Sequence, residues 1–266
     1  MKENIRKIVI VLLALVFLGS AGMMIHTHMQ NAASEAARAE AKALAAQQSE
    51  PVVEEPPVVS VVPEEPVPEE PQPVDDYAKE LLNTDLAALR AQNPDVLGWI
   101  SIPGTEVEYP LMDGEDNDFY LNHTWLKEPN AAGSIFLEQL SSSDLTDFNT
   151  IIYGHRMRNN SMFGSLKYYD DPDYLAAHPY VYIVHDGGCD RYEVFAAYKA
   201  AVTSRTYQYA FKDEAQQQAF LDHALTSSVI DTGIVPDTND RVITLVTCTG
   251  AGYESRWVVQ AVLPLE

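Results

Sequence analysis

Cys248 is the first candidate for chemistry, because it ends the apolar run RVITLVTC just before Thr-Gly-Ala-Gly. A thiol at such a strand-to-loop junction can reach a surface groove while the sheet holds its backbone. The only other cysteine, Cys189, lies in the apparent hairpin turn DGGCDRY, at the opposite end of its strand pair. Cys248 is therefore either a nucleophile, a small buried apolar residue, or the disulfide partner of Cys189.

A histidine and an arginine occupy similar strand ends. His155 closes the strand-like run NTIIYGH, and an imidazole is the usual proton-transfer partner of a catalytic thiol. Arg256 opens the last strand-like run, RWVVQAV, eight residues after Cys248. A guanidinium at that position either stabilises an oxyanion across the mouth of a groove or serves solubility at a sheet edge.

Histidine spacing and net charge exclude other chemistries. The seven histidines show neither HxxxH nor HExxH spacing, and two cysteines are too few for a four-cysteine zinc site. No metal and no cofactor are expected. With 17 Lys and Arg against 39 Asp and Glu, the formal net charge is −22. Phosphate neutralisation needs clustered basic residues, so a nucleic-acid partner is excluded.

The candidate residues stand among short runs that predict a mostly β domain. β-branched and aromatic residues alternate in GWISIPGTEVEYPLM, GSIFLEQL, NTIIYGH and YVYIVHDGGCDRYEVFAAYKAAV, and again in the runs of Cys248 and Arg256. Leucines at helical spacing predict a helix over 77–93, and 211–226 predicts a second one. The expected fold is a closed β-barrel of about seven or eight strands with an N-terminal helix and one inserted helix.

The start of the chain predicts a membrane anchor. Lys2, Arg6 and Lys7 precede an uncharged apolar run over residues 8–25. As a helix, this run would measure about 27 Å, close to the hydrocarbon thickness of a bilayer. The basic flank predicts a cytoplasmic N-terminus, with the rest of the chain outside the cell membrane. A cleaved signal peptide is the competing interpretation, because the small residues at 19–21 resemble a cleavage site.

A stalk and a linker are expected between the anchor and the domain. Residues 29–48 are rich in Ala, Glu, Lys and Gln, so a helix there is expected to be solvated and outside any core. Eight of the 16 prolines and several glutamates follow, which predicts an extended spacer or, alternatively, a ligand for a proline-recognition module. The predicted divisions are 1–28, cytoplasmic tip and transmembrane anchor; 29–75, Ala-rich stalk and acidic Pro-rich linker; and 76–266, catalytic domain.

Taken together, the motifs closely resemble the sortases, and the class B sortases most of all. NTIIYGHRM followed by SMFGSLKYY, then TLVTC, then an arginine opening the final strand occur in that order. The likeness extends to GWISIPGTEVEYPLM, the DN-x-x-YL-x-H run at 116–123, GSIFLE and the predicted helix at 211–226, and it covers 77–266. Val246 and Gly250 depart from the family pattern, in which Ser and an acidic residue occur.

The resemblance implies a membrane-anchored cysteine transpeptidase of a Gram-positive envelope with a sortase-type barrel. Cys248 would attack the Thr carbonyl of a sorting signal, His155 would protonate the leaving amine, and Arg256 would hold the oxyanion. The implied partners are secreted proteins with a Pro-x-Thr-type C-terminal signal and an amine of a peptidoglycan precursor or cross-bridge. Asn117 and Leu121 occupy positions that match substrate contacts in the family.

Three alternatives stay open on the sequence. A plain cysteine endopeptidase would use the same Cys248 and His155 but release an acid instead of a ligated product. A pilin-polymerising sortase would use a Lys side chain as the acceptor. A non-enzymatic envelope-binding module would contain a Cys189–Cys248 disulfide and therefore no free thiol.

Overall fold

Eight strands form the frame of the molecule. The computed structural model describes residues 2–47, 75–248 and 254–264. Within them the strands are β1 (Val96–Ser101), β2 (Glu108–Met112), β3 (Ile135–Leu137), β4 (Asn149–Tyr153), β5 (Tyr180–His185), β6 (Gly188–Ala201), β7 (Arg241–Cys248) and β8 (Ser255–Leu263). They close into a barrel in the order β1-β2-β3-β4-β7-β8-β6-β5. The predicted closed barrel is confirmed.

The pairing of β4 with β7 decides where the ends of the strands meet. β4 and β7 are parallel, and β7 pairs antiparallel with β8. The ends of β4 and β7 and the start of β8 therefore lie at one end of the barrel, called the catalytic end below. Apolar side chains from every strand fill the interior and hold this frame, including Ile100, Leu111, Ile135, Ile152, Ile183, Val194, Leu245 and Val259.

Five α-helices lie around the described part of the barrel: α1 (Lys2–Ala45), α2 (Asp76–Leu81), α3 (Leu86–Gln92), α4 (Pro172–Ala177) and α5 (Glu214–Ser227). α5 confirms the predicted inserted helix. Its buried stripe packs against the outer face of the barrel through Phe220, Leu221 and Ala224.

The single helix predicted over 77–93 is wrong, because the chain forms two short helices there. Asp75 caps α2 and Asp85 caps α3, each side chain accepting a backbone N–H of the first turn, at 3.0 and 2.8 Å. Aspartate is a preferred N-cap residue, so Asp85 starts a new helix. The break leaves Leu82 55% exposed, although its spacing had suggested a buried position.

The last turns of α1 pack on the outside of the barrel. Ala37, Ala41 and Ala45 are buried at four-residue spacing on one helix face. The indole N–H of Trp125 donates to the Ala37 carbonyl at 2.7 Å. Small side chains allow this close approach, and the stripe joins a buried aromatic cluster. The prediction that a helix over 29–48 is solvated and outside the core is therefore wrong for these turns.

Polar contacts lie on both sides of the alanine stripe. Arg38 pairs with Glu106 and Lys42 pairs with Glu108, near the start of β2. The Gln30 carbonyl accepts a side-chain amide N–H from the loop before β3 at 2.9 Å. Partly exposed ion pairs add little stability, so these contacts chiefly fix how α1 is oriented on the barrel.

Placing a charge in the alanine stripe should weaken the packing of α1. Ala41→Glu would bury a carboxylate without a partner, which costs at least about 2 kcal/mol. We expect a lower thermal midpoint for this variant of the full chain in detergent, measured by circular dichroism. Ala43→Glu is the matched control, because Ala43 lies on the exposed face of the same helix. Equal midpoints for the two variants would show that the packing adds no stability.

Candidate active site

Three neighbouring strands bring the backbones of the predicted catalytic residues together. Cys248 ends β7, and the β7–β8 register pairs it with Arg256. In the parallel β4–β7 pair Tyr153 is level with Val246. His155 lies two residues beyond Tyr153, as Cys248 lies two beyond Val246, so the two residues lie at the same level of the barrel. The side chain of Cys248 is outside the part of the chain that the structure describes.

Arg256 lies beside two tyrosines at the catalytic end. Its side chain is half-buried, and its Nη1 donates to the Ser255 carbonyl at 3.1 Å. Burial raises the pKa of Tyr207 to about 12, and the Arg256 charge opposes that rise. Burial and the Glu138 carboxylate raise the pKa of Tyr153, which Arg256 again opposes. The guanidinium therefore acts on its surroundings as a positive charge beside the end of β7.

His155 is oriented by a backbone carbonyl. Its Nε2 lies 2.7 Å from the Leu121 carbonyl oxygen. Because a carbonyl only accepts, Nε2 must carry the proton, which fixes the tautomer of the neutral imidazole. The His155 carbonyl in turn accepts the Phe163 N–H at 2.9 Å. Both the ring and the backbone of His155 are thus held.

Two glycines make this arrangement possible. Gly133 has a φ of +60°, and a Cβ there would lie 2.7 Å from the Leu121 carbonyl oxygen that contacts His155. A Cβ on Gly154 would lie 2.7 Å from the Phe163 ring, which is fully buried. Any larger residue at either position would displace one of the two segments that hold the imidazole.

Of the two predicted substrate contacts, Leu121 contacts His155, and both use polar groups within the protein. Leu121 presents its carbonyl to the imidazole. Asn117 donates from Nδ2 to both carboxylate oxygens of Glu138, at 2.8 Å each, and accepts the Gln139 N–H at 2.9 Å. Glu138 is the last residue of the GSIFLE motif, but that motif assigns it no role. A carboxylate directly after an apolar strand is the signal that could have indicated one.

Cys189 lies far from the catalytic end, as predicted. It is near the start of β6, whereas Ala200, eleven residues further along that strand, pairs with Arg256. Eleven strand residues span about 36 Å, far beyond the reach of a disulfide with Cys248. The Cys189 thiol is free, and burial with nearby carboxylates raises its pKa to about 11.

Cys189 should therefore react slowly with neutral alkylating reagents. A pKa of about 11 leaves about one thiol in a thousand ionised at pH 8, and the thiolate is the reactive form. Between pH 8 and pH 9 the thiolate fraction rises about tenfold, so the alkylation rate should rise by the same factor. Mass spectrometry of the Cys248→Ala chain measures this rate. A wild-type chain with no titratable thiol in non-reducing denaturant would instead indicate a Cys189–Cys248 disulfide and contradict the structure.

Comparison with known families agrees with this geometry. The family model described as a sortase domain matches residues 100–264, which is more than half of the chain. The chain belongs to the sortase family. Sortase B of Listeria monocytogenes is 37% identical to this sortase over 183 residues, or 67% of this chain and 74% of the relative. The relatives place it in class B, whose members are cysteine transpeptidases.

Solved structures extend the likeness to the whole barrel of this sortase. Sortase B from B. anthracis, in complex with AAEK1, matches with a TM-score of 0.70 at 27% identity, over 90% of this chain and 100% of that chain. A Staphylococcus aureus sortase B–substrate complex matches with a TM-score of 0.64 at 31% identity, over 68% of this chain and 85% of that chain. The class B sortase fold is therefore established for this chain.

Proposed function

We propose that this sortase cleaves a C-terminal sorting signal of secreted proteins at a threonine and joins the new acyl end to a cell-wall amine. Cys248 is the nucleophile, His155 the acid and base, and Arg256 the oxyanion-binding group. The observation that carries the proposal is the strand register. It sets the ends of β4 and β7 beside the start of β8, so the three residues belong to one end of the barrel.

The first half-reaction forms a thioester. The Cys248 thiolate attacks the threonine carbonyl, and the peptide C–N bond breaks as the bond between Sγ and the acyl carbon forms. The His155 imidazolium gives its proton to the leaving amine. Arg256 and backbone N–H groups hold the negative oxygen of the tetrahedral intermediate.

The second half-reaction transfers the acyl group. The acceptor amine attacks the thioester, His155 takes the proton of that amine, and the Cys248 thiolate leaves. One amide bond replaces another, so the reaction needs no cofactor and no energy source. Because water would hydrolyse the thioester to an acid, the groove must favour the amine.

The proposed substrate carries a Pro-x-Thr-type signal, and the proposed acceptor is an amine of a peptidoglycan precursor or cross-bridge. The related S. aureus enzyme has been solved as a substrate complex, which supports a peptide-binding groove in this fold. Leu121 adjoins His155, Asn117 lies four residues before Leu121, and both remain predicted substrate contacts. The Asn117 amide and the Leu121 carbonyl are already hydrogen-bonded within the protein. We therefore expect these residues to contact a peptide by packing and not by new hydrogen bonds.

We also propose that residues 8–25 anchor the protein in the cell membrane, with the catalytic domain outside. α1 contains a stretch apolar enough to cross a membrane, within Leu12–Ala45. The basic residues before it favour a cytoplasmic N-terminus. We propose the corresponding division of the chain into a tip and anchor (1–28), a stalk and linker (29–75) and a catalytic domain (76–266).

Triglycine tests the reaction type. The full chain in detergent is mixed with a peptide containing Asn-Pro-x-Thr and with triglycine, with a lysine-containing peptide, or with neither acceptor, and the products are identified by mass spectrometry. We expect a product in which triglycine is joined to the threonine. Acid as the sole product, even with excess triglycine, would instead identify a cysteine endopeptidase. Joining only to a lysine side chain would identify a pilin-polymerising enzyme.

A further inference from the structure

Glu138 is a buried carboxylate near the catalytic end that the proposed mechanism does not use. It directly follows β3, where its backbone N–H donates to the Ile151 carbonyl at 2.9 Å, and it is only 7% exposed. Glutamate is rarely buried unless it is paired. Here the carboxylate accepts Asn117 Nδ2 at 2.8 Å on each oxygen and the Tyr153 hydroxyl at 2.9 Å on Oε2.

These two donors belong to the two segments that hold His155. Tyr153 ends β4, two residues before His155. Asn117 lies four residues before Leu121, whose carbonyl accepts the imidazole N–H at 2.7 Å. One carboxylate thus joins the strand that carries the imidazole to the turn that orients it.

The segment 117–121 is a compact turn, so a shift at one end moves the other. Phe119–Leu121 form a single 3₁₀ turn, and the Asp116 carboxylate accepts two backbone N–H groups of this segment at 2.8 Å. The Asn117 oxygen accepts the Gln139 N–H at 2.9 Å, so both ends of the amide are bound beside β3. The position of the Leu121 carbonyl therefore depends on the contacts of Asn117.

We infer that Glu138 is a positioning residue for His155. By joining the end of β4 to the turn 117–121, its carboxylate keeps Nε2 of the imidazole against the Leu121 carbonyl. That contact holds the neutral imidazole in the Nε2–H tautomer and directs Nδ1 to the proton transfers of the reaction. The inference rests on the proposed acid–base role of His155, and its test includes a measurement made without substrate.

Glu138→Gln is the central variant, because glutamine has nearly the same size but only one acceptor oxygen. Its NH₂ group would replace one acceptor oxygen, so Asn117 Nδ2 would keep only one of its two acceptors, and the Tyr153 hydroxyl would have to turn and accept wherever the NH₂ group faces it. The link between the two segments would be weakened. We expect ¹⁵N spectra of the histidine-labelled full chain, recorded without peptide, to change from the Nε2–H tautomer to a mixture at His155. The loss of one signal in His155→Asn assigns that residue.

The same variant should lower kcat and leave KM nearly unchanged. A misplaced acid–base group slows the reaction without weakening peptide binding, and we expect a loss of about 10- to 100-fold in triglycine ligation. Asp75→Asn is the matched control. The Asp75 carboxylate also accepts a tyrosine hydroxyl, from Tyr182 at 2.9 Å, but on β5. It should leave both the spectrum and kcat unchanged.

Asn117→Ala separates positioning from charge, because it keeps the Glu138 carboxylate and removes one contact. Without peptide it should produce the same mixed tautomers at His155 as Glu138→Gln. A wild-type His155 spectrum in both folded variants would overturn the positioning role, whatever happens to kcat. Failure of the proposed function is distinguishable, because it would appear as full ligation by His155→Asn.

Discussion

Replacing Cys248 by alanine is expected to abolish triglycine ligation, a loss of at least about 10³-fold, in a chain that remains folded. In the proposed reaction the thiolate forms the covalent intermediate, and no other described side chain at the ends of β4 and β7 can replace it. The preceding residues of β7 are buried in the barrel, so loss of one terminal sulfur should leave the fold intact. Ligation is measured by mass spectrometry, and folding by the thermal midpoint.

Cys189→Ala is the matched control for this prediction. Cys189 lies at the opposite end of the barrel, and its raised pKa keeps the thiol un-ionised at neutral pH. We expect ligation within about twofold of wild type, since no reacting group is lost. If folded Cys189→Ala were as inactive as Cys248→Ala, the assignment of the nucleophile would be wrong.

Arg256→Lys should lower turnover by about 10²- to 10³-fold, the typical cost of losing one oxyanion donor. A guanidinium presents several N–H groups in a fixed plane, whereas an ammonium is a compact charge on a flexible stem. Single-turnover acylation of the enzyme by the peptide measures the effect directly.

Arg241→Lys provides the comparison for that variant. Arg241 begins the same strand that Cys248 ends, and its guanidinium donates to the Leu145 carbonyl at 3.3 Å, far from the reacting groups. We expect normal turnover in this variant. Near-wild-type turnover in Arg256→Lys as well would mean that Arg256 supplies only charge for solubility or substrate steering.

The barrel could be predicted because its signals are local. Alternating residues mark each strand, and DGG marks the two-residue turn between β5 and β6. The helix break was missed because the leucine spacing continues through it. This spacing outweighed the local N-cap signal of Asp85, whose side chain accepts the Ala88 N–H. The packing of α1 was missed because its partner, Trp125, lies more than eighty residues away in sequence. The four-residue spacing of the alanines in α1 does not by itself indicate that they are buried.

The site was predicted in part for the same reason. His155, Cys248 and Arg256 stand at strand ends within recognisable motifs, so each can be found singly. Their grouping depends on the parallel β4–β7 register, which no local pattern encodes. Glu138 ends the GSIFLE run, but that run assigns it no role. Its importance arises from two donors that come from separate segments, and only the folded chain brings them to one carboxylate.

The packing of α1 also bears on the distance between the barrel and the membrane. With residues 8–25 in the bilayer, as proposed, Gln30 is about 8 Å beyond the apolar run and already contacts the loop before β3. The Ala45 carbonyl at the other end of α1 accepts the Asp85 N–H at 2.8 Å. With that anchor, the continuous helix α1 sets the height of the barrel above the lipid. A substrate of the proposed kind would have to present its threonine at that height, whatever the length of the proline-rich segment.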